Sequence, residues 1–205
     1  THPDYVIYVP DGRGTGGLPD VANEHFLVFR RGDGTLAAVW TQSGFEGECN
    51  QHIVFASSDS RGRVWSPPRI IAGGSPDPAT GRGMCSWGFP LVSRSGRIYV
   101  LYSKHMGIND IFTHTTGLLH GIFSDDGGES WSDPVTVGLD PALNLCEVSI
   151  LPMGKGTLVA FLRENSAMGY DCKKTISHDN GETWGPVIDF PLPGCHRPVA
   201  GFLRD

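Results

Sequence analysis

The octapeptide SDDGGESW at residues 124–131 is answered by SHDNGETW at residues 177–184. The two share the pattern Ser, any, Asp, any, Gly, any, Ser or Thr, Trp. A degenerate copy, SDSRGRVW at 58–65, keeps Ser58, Gly62 and Trp65 but has Ser60 in the Asp position, with Asp59 one residue early as the candidate substitute. A chain that builds one short polar turn repeatedly is assembled from repeated supersecondary units, and that restricts the fold more than any single composition figure.

A second element repeats in step with the first. GDGTLAAVW (32–40), RSGRIYVLY (94–102) and GKGTLVAFL (154–162) each place a Gly just before an apolar run. Their glycines Gly34, Gly96 and Gly156 recur at roughly sixty residues, within the range of known repeat periods. Each run follows a short apolar segment, FLVF (26–29), FPLV (89–92) or EVSIL (147–151), so the pair reads as a hairpin whose Gly supplies the turn. HIVFASS (52–58), LLHGIFS (118–124) and CKKTIS (172–177) then lead into the octapeptide, and segments such as PVTV (134–137) follow its Trp. Each unit is thus four strands, A to D, with tight A–B and C–D turns.

Four-stranded units in series predict an all-β fold, a β-propeller. The expected blades cover about 20–72, 85–137 and 145–190, with a fourth starting at 196–205, all in a single domain over 1–205 and together a partial propeller. The content of 28 Gly and 15 Pro suits such a turn-rich chain, and almost nothing reads as helix. The octapeptide itself reads as structure: its Asp and hydroxyls cap backbone N–H groups of their own turn, its Gly permits a left-handed residue, and its Trp packs against the neighbouring unit. A catalytic role would explain only the Asp.

Charge and cysteine usage exclude several classes. The net charge of −6 with no basic run argues against nucleic acid. No apolar stretch is long enough to span a membrane. The opening THPDYVIYVPDGRG has no signal pattern, a removed signal being compatible with that, and a secreted or periplasmic location is favoured. The five cysteines, Cys49, Cys85, Cys146, Cys172 and Cys195, include no CxxC pair, so no metal site is expected and at most two disulfides can form. They read as small buried hydrophobes. His105, His114 and His120 lie along one long loop without metal spacing and read as hydrogen-bonding or acid–base groups. No cofactor is implied.

The octapeptide resembles the Asp box of the sialidase superfamily, and the resemblance covers about residues 20–203. It implies a six-bladed propeller and an exo-acting sialidase or related glycosidase; propeller lyases and secreted binding proteins carry similar boxes. Strands alternate in direction, so the short A–B and C–D turns share one face and the long B–C and D–A loops share the other. Long irregular loops are where function concentrates. On that loop face, EVSILPMGKGTLVAFLREN (147–165) resembles a family motif running from a Glu to an Arg. The resemblance implies that Glu147 assists a Tyr nucleophile and that Arg163 is one of three arginines holding a substrate carboxylate. Physical chemistry agrees, since a guanidinium matches a carboxylate in bidentate fashion.

The departures are as informative. Glu24 stands where the family places its first Arg. The family's acid Asp falls near FEGECNQH, where Glu46 or Glu48 can stand in, Glu48 being preferred by spacing. The family's nucleophilic Tyr lies in a later blade, and neither Tyr102 nor Tyr170 matches it. Arg197 beside His196 forms an anion-binding pair outside the family pattern. The Glu147 motif also falls about a blade early, and 205 residues are short of six blades at roughly 50–60 residues each. A fragment, a rearranged variant and a propeller completed by self-association are the options.

The expected function is therefore hydrolysis of terminal, acidic sugars from glycans. Glu147 and Glu48 are the candidate catalytic residues, and Arg163, Arg197, His196 and Glu24 the candidate substrate-binding ones. Two alternatives stay open. One is a lyase on uronate polysaccharide using His114, His196, Tyr102, Arg163 and Arg197; the other is a non-catalytic carbohydrate-binding or assembly module.

Overall fold

A computed structural model describes residues 3–59, 61–74, 83–105 and 118–203. Its strands form three four-stranded antiparallel sheets, each in chain order. The first holds β1 (Ala22–Arg30), β2 (Leu36–Ser43), β3 (His52–Ser58) and β4 (Arg69–Gly73). The second holds β5 (Cys85–Val92), β6 (Ile98–Lys104), β7 (Leu118–Ser124) and β8 (Val135–Leu139), and the third β9 (Leu145–Gly154), β10 (Thr157–Glu164), β11 (Lys173–Ser177) and β12 (Ile188–Asp189). β5 contacts both β1 and β9, so the first strands of the sheets gather on one side, as the inner strands of a propeller do.

The sequence pattern of each second strand follows from what covers its faces. β2 is buried along nearly its whole length because both faces are covered. Ala37 and Val39 pack with Ile98, Val100 and Tyr102 of the second sheet. Ala38 and Trp40 face the other way, onto Val54, Ala56, Ile7 and Tyr8. The segment before β1, which the repeat pattern assigns to no blade, thus covers the far face of the first sheet. It is fixed by the buried Asp20, which accepts hydrogen bonds from the Tyr8 hydroxyl and, at 3.0 Å each, from the N–H groups of Asp11 and Gly12. β10 alternates instead. Leu158, Ala160 and Leu162 are buried against Tyr99, Leu101 and Leu119 of the second sheet, while Val159 and Phe161 face away and are only partly covered.

The two full octapeptides are turns that bind their own backbone. Asp126 accepts from Ser124 Oγ (2.7 Å), Ser130 N (2.9 Å) and Ser130 Oγ (2.5 Å), while Ser124 Oγ accepts from Gly128 N at 2.8 Å. Asp179 repeats the pattern with Ser177 Oγ (2.7 Å), Thr183 N (2.9 Å) and the Thr183 hydroxyl. These bonds, led by the one from the Thr183 hydroxyl, hold the exposed Asp179 carboxyl down at about 2. In the degenerate copy, Ser58 Oγ still receives Gly62 N at 3.0 Å.

The turns also join neighbouring sheets. Gly128 lies so close to the Phe55 ring of the first sheet that an added Cβ would overlap Cζ. Trp131 meets the same ring edge-on at 5.5 Å. Gly181 of the third sheet approaches Tyr99 of the second less closely, an added Cβ falling 3.1 Å from its Cε1. Residues 196–203, expected to open a fourth unit, form no strand; Ala200 N donates to Ser149 Oγ of β9 at 3.0 Å.

Candidate functional site

Each inner strand carries a β-bulge near its start, on the loop face. In β1 the register breaks between Glu24 and Leu27, so His25 and Phe26 share the space opposite Trp40. In β5 it breaks between Ser86 and Phe89, placing Trp87 and Gly88 opposite Tyr102. The pairing of β10 with β9 breaks between Leu162 and Glu164, placing Cys146 and Glu147 opposite Arg163. His25 and Trp87 take positive φ values, 48° and 57°. A bulge re-aims a side chain that a regular strand would send elsewhere. Here three bulges aim His25, Trp87 and Glu147 at one cavity of about 130 Å³, to which Arg197 also contributes.

Glu147 is the centre of charge. Arg163 Nη1 donates to Oε1 and Oε2, at 2.8 Å each. Arg197 Nη2 lies 3.5 Å from Oε1 and His25 Nε2 lies 3.7 Å from it. Burial pushes the Glu147 carboxyl up, but the contacts with His25 and Arg163 outweigh it and hold the group well below the usual carboxylate range. Glu147 is therefore an anion at any physiological pH.

The rest of Arg163 is also occupied. Nη2 donates to Asn165 Oδ1 at 3.0 Å and meets His196 Nε2 at 2.9 Å, while Nε donates to the same His196 nitrogen at 3.3 Å. Arginine can only donate, so His196 accepts on Nε2 and its ring proton sits on Nδ1. Arg197 differs: its side chain is 58% exposed and meets His25 Nε2 at 3.2 Å. Of the two guanidiniums, only Arg197 has an open side.

The carboxyls from the first sheet take distinct places. Glu24 immediately precedes the bulge, and its Oε2 is buried with no hydrogen-bond partner among the described residues. Burial first, then repulsion from Glu46, raise its carboxyl above the usual range, with His25 opposing them. Glu48 is tied into its own loop, Oε2 accepting Gly44 N at 2.6 Å. Spacing alone prefers Glu48 to Glu46, whereas it is Glu46 whose charge reaches Glu24.

Two features escape a reading of the sequence. Trp87 stands between His25 and His105, 5.9 Å from each ring, and its backbone N–H donates to Thr41 Oγ1 at 2.8 Å. His25 bridges Glu147 and Arg197 from the first sheet. Only the bulges bring them in, and nothing in the residue pattern marks a bulge there. The two described histidines singled out from this region, His105 and His120, have different ring neighbours. His105 is buried, has no hydrogen-bond partner for either ring nitrogen among the described residues, and is pushed down to about 4 by burial and then by Lys104. His120 packs edge-on against Tyr102 at 6.0 Å. His114 lies outside the described residues. Tyr102, a candidate for lyase chemistry, is a buried core residue. Burial pushes its hydroxyl far above the tyrosine range, so it is not available as a surface base.

A larger hollow of about 620 Å³ lies on the turn face, bordered by Arg94, Tyr99, Met153, Lys155 and Phe202. It has no carboxylate or imidazole in its lining and offers no acid–base pair. Among the described residues, no group of three or more His, Cys, Asp or Glu is placed to hold a metal ion, and no helix is long and apolar enough to cross a membrane.

No family profile matches the chain. A curated protein, "Sialidase" of Paraclostridium sordellii, is 29% identical over 187 residues, covering 78% of this chain and 45% of the relative. The chain thus spans less than half the length of that relative. Among solved structures, the Hadza microbial sialidase Hz136 superposes with a TM-score of 0.66 at 22% identity, over 82% of this chain and 37% of that one. The alpha-L-arabinanase of Penicillium chrysogenum, solved with arabinobiose, gives 0.64 at 17% identity, over 94% and 56%. The alpha-L-arabinofuranosidase of Fusarium graminearum gives 0.60 at 16%, over 90% and 53%. With three four-stranded sheets and two full Asp boxes, the chain has the β-propeller fold of these solved structures and is similar in sequence to a protein named sialidase.

Proposed function

We propose that this chain carries part of the active site of an exo-glycosidase that removes terminal, acidic sugars from glycans. The observation that supports this best is the Glu147–Arg163 pair, seated on a bulge at the inner end of the third sheet and joined there by His25 and Arg197. The sequence relationship to a protein named sialidase points the same way.

The roles follow from the surroundings. Glu147, held as an anion, polarises a neighbouring hydroxyl or stabilises the positive charge that develops on the sugar. Arg197, with its open side, receives the substrate's carboxylate, while Arg163 orients Glu147. Glu24 is the proton donor: two carboxyls whose environments drive their ionisation apart divide naturally into acid and base. Trp87 offers an apolar wall next to the sugar ring.

A second reading has specific support. Arg163 is saturated by Glu147, Asn165 and His196, and Glu24 stands where an acidic sugar would need a cation. That favours a neutral terminal sugar. Two of the fold neighbours are named for arabinan-type activities.

A panel of aryl glycosides, with a sialoside and an α-L-arabinofuranoside among them, tests both readings on protein expressed from the complete reading frame. Release of the aryl group from the sialoside supports the acidic reading, and release from the arabinofuranoside alone supports the neutral one. No release from any member overturns the glycosidase proposal.

A further inference from the structure

The loop that delivers His196 and Arg197 to the site is anchored through two cysteines. Cys172 N donates to the Cys195 carbonyl at 3.1 Å, and Phe190 N donates back to the Cys172 carbonyl at 3.1 Å. Asp171 Oδ1 accepts Gly194 N at 2.9 Å, one residue to the side of the same contact. The single backbone bond holds the two residues side by side, as a disulfide with its Cα window of about 4.4–6.8 Å requires, and the two thiols lie close enough to interact directly. Both thiols are free in this structure; Cys172 is buried and Cys195 partly exposed. Burial pushes the Cys172 thiol up to about 12, and the adjoining Cys195 thiol pushes it the same way. Neither Cys85 nor Cys146, both buried in their inner strands, has a backbone bond to another cysteine among the described residues.

We propose that Cys172 and Cys195 form a disulfide-forming modification site, whose oxidation by a small-molecule or protein disulfide ties down the 191–197 loop. The chemistry is thiol–disulfide exchange. The partly exposed Cys195 is the entry point: its thiolate attacks one sulfur of the incoming disulfide and expels the other half as a thiolate, giving a mixed disulfide. Cys172, losing its proton to solvent, then attacks the Cys195 sulfur and expels the second half. Two protein thiols are oxidised, one external disulfide is reduced to two thiols, and two protons pass to the released thiolates.

The consequence for the site is mechanical. His196 follows Cys195 directly, and its Nε2 receives Arg163; Arg197 follows and reaches Glu147. With only hydrogen bonds at its base, the 191–197 loop opens by local unfolding more readily than with a covalent tie. In an oxidising compartment the tie forms and the arginine stays over Glu147.

The test uses oxidised glutathione on the intact chain, followed by denaturation, alkylation with iodoacetamide and peptide mass mapping. The expected result is the loss of two alkylatable thiols from the five, with one linked peptide pair joining Cys172 to Cys195. Five alkylatable thiols after oxidation, or a linkage through Cys49, Cys85 or Cys146, overturns the proposal. Cys195→Ser removes the entry thiol and leaves no linked pair; persistence of the linked mass would contradict the assignment. Limited proteolysis within 191–197 separates the tether from mere oxidation: cleavage slows several-fold on oxidation and recovers with dithiothreitol. Equal cleavage rates in both states refute the tether. None of these readouts depends on glycosidase activity.

Discussion

Arg163 holds both carboxylate oxygens of Glu147 on a single nitrogen, Nη1, at 2.8 Å each, across the β-bulge that separates β9 from β10. Its other nitrogens are taken by Asn165 and His196, so the guanidinium is fixed on every side and fixes Glu147 in turn. A glutamate held this way keeps its charge and its position, the two properties asked of a group that stabilises a developing positive centre. The two arginines thereby differ: Arg163 is held by its partners while Arg197 is 58% exposed, which suits the proposed division of roles.

That division is measurable. Arg197→Ala is expected to weaken binding of a carboxylated sugar by tenfold or more without lowering stability, its side chain being 58% exposed. Arg163→Ala is expected to cost about 1–3 kcal/mol of stability, since it strips a partly buried carboxylate of the donor that meets both its oxygens. Urea melts and sugar titrations on both variants check the pair. Equal loss of stability in the two would contradict the division.

The pH dependence of folding carries Glu147's signature. Its carboxyl is lower in the folded state than in the unfolded one, where a Glu titrates near about 4.3. The stabilisation is therefore complete above that value and fades as pH falls toward the folded value. Glu147→Gln is expected to flatten the acid side of the stability curve below about pH 4.5. Denaturant midpoints at a series of pH values read it, and an unchanged acid limb would remove Glu147 as the cause.

Glu24 has the opposite sign. Its folded carboxyl is raised, by burial first and then by Glu46, so the folded state binds its proton more tightly than the unfolded state does. Stability contributed by the protonated group is present below the unfolded value and is lost as pH rises through the folded one. Glu24→Gln is thus expected to raise stability at neutral pH. Glu46→Gln should shift the Glu24 titration, followed by carboxyl carbon NMR, toward the ordinary range. If Glu24 titrates like a free glutamate, its assignment as proton donor fails.

The packing of the turn against its neighbour is open to a glycine comparison. Gly128 has φ of +97° and a Cβ there would overlap Phe55 Cζ, whereas Gly96, at φ +92°, has open space around the same added atom. Gly96→Ala meets only backbone strain, about 1 kcal/mol. Gly128→Ala meets strain and a ring it cannot displace without disturbing the first sheet, about 2–4 kcal/mol. Comparable urea midpoints for the two variants would show that the turn does not press on Phe55.

His105 supplies an acid-side test of a different kind. Buried and with no hydrogen-bond partner among the described residues, it is pushed down to about 4 from a free value near about 6.5, so the unfolded chain takes up its proton first. Its penalty on stability grows as pH falls from about 6.5 toward 4. His105→Leu is expected to keep more of its stability across that window than the parent chain does. Imidazole NMR on the parent chain gives an independent reading, and a His105 titrating near the free value would contradict it.

Periodicity carried most of the architecture. The twin octapeptides and the spaced glycines are local patterns: a turn closes through its own Asp and hydroxyls whatever lies elsewhere in the chain, and the alternation in β10 follows from one buried face. Glu147 and Arg163 were singled out by the resemblance of 147–165 to a family motif, and as the residues opening one strand and closing the next they lie side by side across an antiparallel pair. Tertiary structure decided the rest. His25 lies more than a hundred residues from Glu147 in the chain, and Arg197 reaches the pair from a loop outside any strand. Their meeting depends on three bulges and on the way the inner strands converge, and a bulge is set by packing between sheets, with no fixed residue signature. The charge state of Glu24 is of the same kind. Sequence placed a glutamate there, but its buried oxygen and the approach of Glu46 exist only once the first sheet and its loop have folded together.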